Sequence, residues 1–162
     1  MPQSEHFMPT KILGVTVSSD DAHLVLLTKR SNGDFILEDQ VTMNLQAGPR
    51  PAAYNTIHGQ FKDYAEHNAV ECVCIKGSAV SHGGTKQAHL HAAELRGVLQ
   101  AAAIAAETEV RLVSKGVVSR RPGKRKVDDY LKDNAFWTGL NLSPVKKGLR
   151  EAAFVAISEF TD

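Results

Sequence analysis

A chain of 162 residues with 43% hydrophobic and 23% charged residues is long enough to bury a core without disulfides or metals. The formal net charge of +1 excludes a uniformly basic surface, so any surface that binds nucleic acid must be local. There is no secretory signal and no apolar run of about 18 residues, so we expect a cytoplasmic protein that does not enter a membrane. Residues 1–10 are predicted to form a flexible tail, and residues 11–162 a single domain.

Three consecutive antiparallel strands are predicted after the tail. Apolar runs over residues 11–18 and 23–29 predict two strands joined by a polar turn. The dipeptide Asn32-Gly33 is the strongest short hairpin signal, and it leads into a third strand over residues 35–43.

Helices and strands alternate in the middle of the chain. Apolar residues at helical spacing predict a helix over residues 52–67, and the short apolar run 70–75 predicts a central strand parallel to the first. A loop with three glycines over 76–85, a largely buried helix over 86–107 and a fifth strand at Glu109–Val113 are predicted next.

The C-terminal part of the chain predicts two helices separated by a loop. Residues 127–134 predict a short helix and residues 137–141 a loop. Ser143-Pro144 predicts the start of the last helix, with serine as N-cap and proline in the first helical position.

Three stretches resemble the RuvC-type Holliday-junction resolvases. The segment 12–15 (ILGV) is similar to their first strand, 94–106 (ELRGVLQAAAIAA) to their central helix, and 148–157 (GLREAAFVAI) to their last helix. The chain also resembles, along most of its length, an uncharacterised family of small bacterial proteins related to these enzymes. The resemblance and the element order predict an α/β, ribonuclease-H-like fold. We expect a five-stranded mixed sheet, its first three strands antiparallel, with helices on both faces.

The resemblance also implies where the catalytic carboxylates of such enzymes would lie. These nucleases hold divalent metal between converging acids, because the metals must bridge the attacking and leaving oxygens. The four acidic positions fall here on Thr16, Lys76, Gly148 and Glu151, so only the last is a carboxylate. We therefore predict a degenerate site without catalytic residues or cofactor, in which Lys76 and Glu151 form an ion pair. The protein then serves as a nucleic-acid-binding or assembly module.

Two other functions are left open by the sequence. One is a metal-dependent, resolvase-like nuclease that binds Mg²⁺ or Mn²⁺ through Asp20, Asp21 and Glu151, although turn chemistry explains the two aspartates equally well. The other is a pure protein-interaction scaffold, because the net charge is close to zero. The sequence also leaves open a protein partner or a homodimer.

A run of cations precedes the predicted short helix. Five of seven consecutive residues are basic, and with a lysine near the glycine loop they are predicted to contact DNA or RNA phosphates. These residues are Arg120, Arg121, Lys124, Arg125, Lys126 and Lys86. The alternative is a solvated loop that is partly neutralised by Asp128, Asp129 and Asp133.

The remaining reactive side chains are assigned to structure rather than function. Cys72 and Cys74 point to one face of a core strand and are poorly placed to bridge. His82, His89 and His91 lack zinc-ligand spacing, and the segment 83–86 (GGTK) lacks phosphate-loop spacing. Trp137 either anchors the core or stacks on a base or partner.

Overall fold

The computed structural model describes residues 10–77, 86–114 and 125–161. Its elements are one five-stranded sheet, five α-helices and a 3-10 turn within these ranges. They are β1 (Lys11–Val17), β2 (Asp21–Lys29), β3 (Phe35–Asn44), α1 (Arg50–His67), β4 (Cys72–Lys76), α2 (Gln87–Ala105), β5 (Glu109–Val113), α3 (Val127–Lys132), α4 (Asn134–Gly139), the 3-10 turn Lys147–Leu149, and α5 (Arg150–Phe160).

The sheet has the strand order β3-β2-β1-β4-β5. β1, β2 and β3 pair antiparallel in chain order, whereas β4 pairs parallel with β1, and β5 parallel with β4. The hairpin between β2 and β3 turns at Gly33, whose φ of 92° is a conformation that favours glycine. The predicted α/β fold with a mixed five-stranded sheet is confirmed.

Helices cover both faces of the sheet. On one face, α1 and α2 pack against side chains that include Leu13, Val15 and Val73. On the other face, α5 lies against the sheet, and α3 and α4 pack outside it. Because α5 is covered on both sides, every residue from Ala152 to Ser158 is buried. Such a helix must be apolar almost all round, as its sequence AAFVAIS is.

Gly14 sets the distance between α5 and the sheet. A Cβ atom added at this position would lie 2.0 Å from the carbonyl oxygen of Ala152 and 3.1 Å from the Cβ of Ala156. The helix backbone therefore rests directly on β1, and only glycine leaves room for it. This contact fixes the height of α5 above the strand ends.

Two predicted segments differ from the structure near the C-terminus. The predicted loop around Trp137 is the helix α4, which Asp133 caps by accepting a hydrogen bond from the Phe136 amide at 3.2 Å. The last helix does not begin at Ser143-Pro144, since the Gln40 side chain bonds the Pro144 carbonyl at 3.0 Å and holds this stretch as a turn. A tertiary contact thus overrides a good local start signal.

The end of the predicted tail is tied to the sheet. The Thr10 hydroxyl donates to the Glu71 carboxylate at 3.0 Å, and the Lys11 amide donates to the same oxygen at 3.1 Å. The rest of the predicted tail, residues 1–9, lies outside the described ranges. Within those ranges, every helix is too short or too polar to cross a membrane.

Replacing Gly14 with alanine is expected to destabilise the protein by at least about 3 kcal/mol, because the new methyl group would overlap the α5 backbone. The measurement is the free energy of unfolding in urea. Gly59→Ala in α1 is the matched control, since a Cβ there meets nothing within 4 Å. The control is expected to stabilise by about 0.5–1 kcal/mol. Equal effects of the two substitutions would contradict the close packing of α5.

Candidate functional site

Thr16 and Lys76 lie side by side at the carboxyl ends of β1 and β4, on the face covered by α5. Side chains alternate along a strand, so Thr16 points to the same face as Ile12, which packs with α5. Lys76 shares its face with Cys72 and Cys74 in the same way. In the parallel register of β1 and β4, Val15 pairs with Ile75, so the next residues, Thr16 and Lys76, are neighbours on the two strands.

Lys76 forms the predicted ion pair with Glu151. The distance from Lys76 Nζ to Glu151 Oε1 is 3.0 Å, and each side chain is 34% exposed. Glu151 stands in the first turn of α5, where a carboxylate is stabilised by the helix dipole. The end of β4 is held from the other face by Arg96 of α2, which donates from Nε to the Lys76 carbonyl at 3.0 Å.

The neighbourhood of this pair contains a histidine and an exposed glycine. His23 is the cross-strand partner of Thr16, and its Nε2 lies 3.8 Å from Asp21 Oδ2. Asp21 and His23 lie four and two residues before Val25 on β2, so they are on the same face of the sheet as Val25, which packs with α5. Gly148 lies three residues before Glu151, and a Cβ there would meet nothing within 4 Å. A side chain at position 148 would therefore fit.

Asp20 forms an ion pair with Arg50 and not with the Lys76–Glu151 pair. Arg50 of α1 donates from Nη1 to Asp20 Oδ1 at 3.1 Å, and this hydrogen bond lowers the pKa of the Asp20 carboxyl below its usual value. The alternative metal set is consequently not assembled, because Asp20 contacts Arg50 while Glu151 contacts Lys76. In the part of the chain that the structure describes, no three His, Cys, Asp or Glu side chains form a group that could hold a metal ion.

The four positions do not fit a pair of divalent ions. Mg²⁺ requires hard oxygen ligands, and the single carboxylate here is already bonded to an ammonium group. At a separation of about 4 Å and an effective dielectric constant of about 20, each unit of like charge is repelled by about 4 kcal/mol. A divalent ion about 4 Å from Lys76 would thus face about 8 kcal/mol of repulsion, which an equally distant Glu151 carboxylate would only cancel, leaving no net attraction for the ion.

Arg150, next to Glu151, was not singled out from the sequence. It is 5% exposed and donates to the Leu131 carbonyl and to the Asn134 side chain, both at 2.9 Å. Its guanidinium carbon lies 5.6 Å from the centroid of the Trp137 ring. Arg150 therefore ties α3 and α4 to the start of α5. No sequence signal marks this burial, because an arginine in a first helical turn is usually solvated.

The predicted basic run is only partly within the described ranges. Arg120, Arg121 and Lys124 lie outside them. Arg125 is paired with Asp133 at 3.0 Å, and its guanidinium carbon lies 4.3 Å from the centroid of the Tyr130 ring. The backbone amide of Phe136 and Arg125 both lower the pKa of Asp133.

Four further cations are placed as follows. Lys126 and Lys86 are exposed immediately before α3 and α2. Lys146 and Lys147 are exposed just before α5, and Gln40 fixes this stretch by accepting from the Lys146 amide at 2.9 Å. The pair Lys146-Lys147 was not identified from the sequence. Two adjacent lysines just before the helix that carries Glu151 could have indicated a phosphate-binding surface there.

The structural assignments of the remaining candidates are consistent with their positions. Cys72 and Cys74 are buried free thiols with their sulfurs 4.0 Å apart, and the Cys72 contact together with burial raises the pKa of Cys74. Trp137 is fully buried and donates from Nε1 to the Tyr130 carbonyl at 3.0 Å, so it is a core anchor. His89 is exposed, whereas His82 and the glycines 83 and 84 lie outside the described ranges.

The sequence matches no protein-family model and no curated protein. Solved structures do match. Thermus thermophilus RuvC superposes with a TM-score of 0.76 at 15% sequence identity, and the alignment covers 93% of each chain. The same protein in complex with Holliday junction substrate gives a TM-score of 0.74, with the same identity and coverage.

A eukaryotic structure is similar as well. The yeast mitochondrial Holliday junction resolvase Ydc2 superposes with a TM-score of 0.62 at 12% identity, over 97% of this chain and 82% of that one. These similarities establish a RuvC-like ribonuclease-H fold for the chain. The resemblance seen in the three sequence segments is therefore confirmed at the level of the fold.

The Lys76–Glu151 pair is expected to contribute about 1 kcal/mol of coupling energy in a double-mutant cycle with Lys76→Met and Glu151→Gln. Partial exposure keeps the value well below the roughly 3–5 kcal/mol of a fully buried pair. The double variant should be destabilised by less than the sum of the changes in the two single variants. The i,i+4 pair Lys62–Glu66 on α1 is the control, with a smaller expected coupling. A coupling of zero at the site would mean that the pair is not formed in solution.

Proposed function

We propose that this RuvC-like chain binds nucleic acid, with branched DNA as the first candidate, and does not cleave it by metal-dependent chemistry at the position used by the resolvases. The observation that carries the proposal is the ion pair between Lys76 and Glu151. An ammonium group occupies the place where the resemblance implies a metal-binding acid, and it neutralises the one carboxylate left.

The fold supports the choice of ligand. RuvC from Thermus thermophilus is described in complex with a Holliday junction, and the present chain aligns with 93% of it. Three exposed lysines could supply phosphate contacts. Lys146 and Lys147 lie just before α5, which carries Glu151, and Lys126 lies just before α3. Arg150 donates to the Leu131 carbonyl and so ties α3, which Lys126 directly precedes, to the start of α5. Phosphate contacts from such residues supply affinity without sequence specificity.

A metal-dependent nuclease is the second candidate. The observation that favours it is the position of Asp21 and His23, which lie beside Thr16 on the face that carries Glu151. A site built from Asp21 and Glu151 would need Lys76 to move away from Glu151 before a metal could bind. The two candidates therefore make opposite predictions for the effect of Mg²⁺ or Mn²⁺ on a bound junction.

The test is binding and cleavage of a labelled four-way DNA junction, with duplex and single-stranded DNA for comparison. We expect binding that EDTA leaves unchanged and no cleavage in Mg²⁺ or Mn²⁺. Alanine at Arg121, Lys124 and Lys126 is expected to reduce the slope of log K against log salt by about 2–3, since each phosphate contact contributes about 0.9.

The control variant carries alanine at Arg30 and Lys62, which removes two positive charges from other surfaces and should leave the slope unchanged. Cleavage that requires metal and is abolished by Glu151→Gln would establish the nuclease instead. Absence of binding to all three DNAs at low salt would leave the protein-interaction scaffold as the surviving function.

Asp133→Asn is expected to strengthen DNA binding, because the carboxylate that now neutralises Arg125 would be lost. Asparagine is an equally good N-cap, so α4 should remain folded. The salt slope should become steeper by about 0.9, the contribution of one further phosphate contact. Asp63→Asn on α1 changes the net charge by the same amount and is the control. If both variants bind alike, Arg125 does not contact DNA.

A further inference from the structure

The only two cysteines of the chain, Cys72 and Cys74, are neighbours on β4, and both are fully buried. Residues two apart on a strand point to the same face of the sheet, and here this is the face covered by α5. The two sulfur atoms are 4.0 Å apart. A disulfide bond requires about 2.05 Å between its sulfurs, so these thiols are too far apart to be bonded directly.

The separation suits two sulfurs that share one metal ion. At about 2.3 Å per metal–sulfur bond, the value for zinc, such sulfurs lie about 4–4.6 Å apart as the angle at the metal opens from about 120° to about 180°. Zinc itself takes four ligands, and within residues 10–77, 86–114 and 125–161 no third His, Cys, Asp or Glu joins the pair into a metal-binding group. A soft monovalent ion such as Cu(I) prefers thiolate ligands and accepts only two of them.

Arg111 places a positive charge beside the two thiols. It is the partner of Cys74 in the parallel register of β4 and β5, and it points to the α5 face of the sheet as Val113 does. The Cys72 contact and burial raise the pKa of Cys74, whereas the charge of Arg111 acts in the opposite direction. A complex of one Cu(I) ion with two thiolates carries one negative charge, so a neighbouring guanidinium stabilises it.

The Arg111 side chain also joins β5 to α5 at the edge of the sheet. Its Nη1 lies 3.5 Å from Glu159 Oε1, and its guanidinium carbon lies 4.6 Å from the centroid of the Phe160 ring. Its own strand holds it as well, since Nε donates to Glu109 Oε1 at 2.7 Å. Because β5 is an edge strand and the Arg111 side chain is partly exposed, the thiols are separated from the rim of the sheet by a side chain that can move.

We propose that Cys72 and Cys74 form a two-coordinate site for a soft monovalent metal ion, Cu(I) in the first place, which enters at the edge of the sheet past Arg111. Binding replaces two S–H bonds with two Cu–S bonds and releases two protons to solvent, so no oxidant or reductant is consumed. The strand already holds both thiols on one face, whereas an unfolded chain would lose conformational entropy in bringing them together. The ion therefore binds the folded chain more tightly and stabilises it.

The experiment is titration of the reduced chain with Cu(I) from a competing chelator, without oxygen and without DNA. One ion per chain is expected, and its X-ray absorption should show two sulfur neighbours. The midpoint of thermal unfolding should rise by several degrees, because the ion binds the native state preferentially. Nitrogen or oxygen neighbours would overturn the proposal. A midpoint that falls or stays unchanged would also overturn it, since the ion would then bind the unfolded chain equally well.

Substitutions test which residues form the site. Cys72→Ala and Cys74→Ala should each weaken Cu(I) binding by more than the roughly 10–100-fold that is typical of changes outside the ligand set. Val73→Ala is the matched control, because it removes a buried side chain of the same strand from the opposite face and keeps both thiols. It should bind Cu(I) like the parent. Parent-like binding by both cysteine variants would overturn the proposal, and the X-ray absorption of the parent decides the matter if those variants do not fold.

The role of Arg111 has its own test. Arg111→Gln should weaken Cu(I) binding about tenfold, because the charge beside the anionic complex is lost. Arg30→Gln removes the same charge at an exposed position and should have no effect. Equal affinities of the two variants would reject the role of Arg111. None of these measurements involves DNA, so their outcome is independent of the proposed function.

Discussion

The contact between Gly14 and α5 is the constraint on which the rest of this structure depends. Because β1 presents no side chain there, the Ala152 carbonyl can lie where a Cβ would otherwise be. The helix α5 therefore packs closely against the sheet, and its residues Ala153, Phe154 and Ala156 are buried. The same approach brings the first turn of α5 to the strand ends, so Glu151 reaches Lys76 at 3.0 Å. Packing in the core thereby determines the geometry at the site.

The close packing of α5 also determines the environment of Arg150. The depth of α5 leaves this guanidinium buried, with Nε lacking a hydrogen-bond partner among the described residues. Burial of a charge with incomplete hydrogen bonding is unfavourable, so the bonds to Leu131 and Asn134 have to offset it. They do so by joining the end of α3 to the start of α4. Arg150 thus links α3 and α4 to the start of α5, next to the Lys76–Glu151 pair.

Local signals predicted the sheet well and the last third of the chain less well. Alternating apolar runs and Asn32-Gly33 specify β1 to β3, since hairpin register is a short-range property. The Lys76–Glu151 pair was predicted through the family resemblance, because the two residues are 75 positions apart. Ser143-Pro144 was misleading because Gln40, a distant residue, decides that turn. The burial of Arg150 was not predictable for the same reason, as it depends on how closely α5 approaches β1.

The location of the Lys76–Glu151 pair would allow its charges to change while the fold is kept. Lys76 is the last residue of β4, where the buried pattern of the strand gives way to partial exposure. A change from a carboxylate to an ammonium group at such a position alters no core contact. Glu151 and Gly148 lie likewise at the start of α5, outside its buried stretch. The residues that hold the sheet and the residues that determine its chemistry are therefore separate sets. A chain with 15% identity to RuvC can therefore share its fold, because the fold depends on the first set alone.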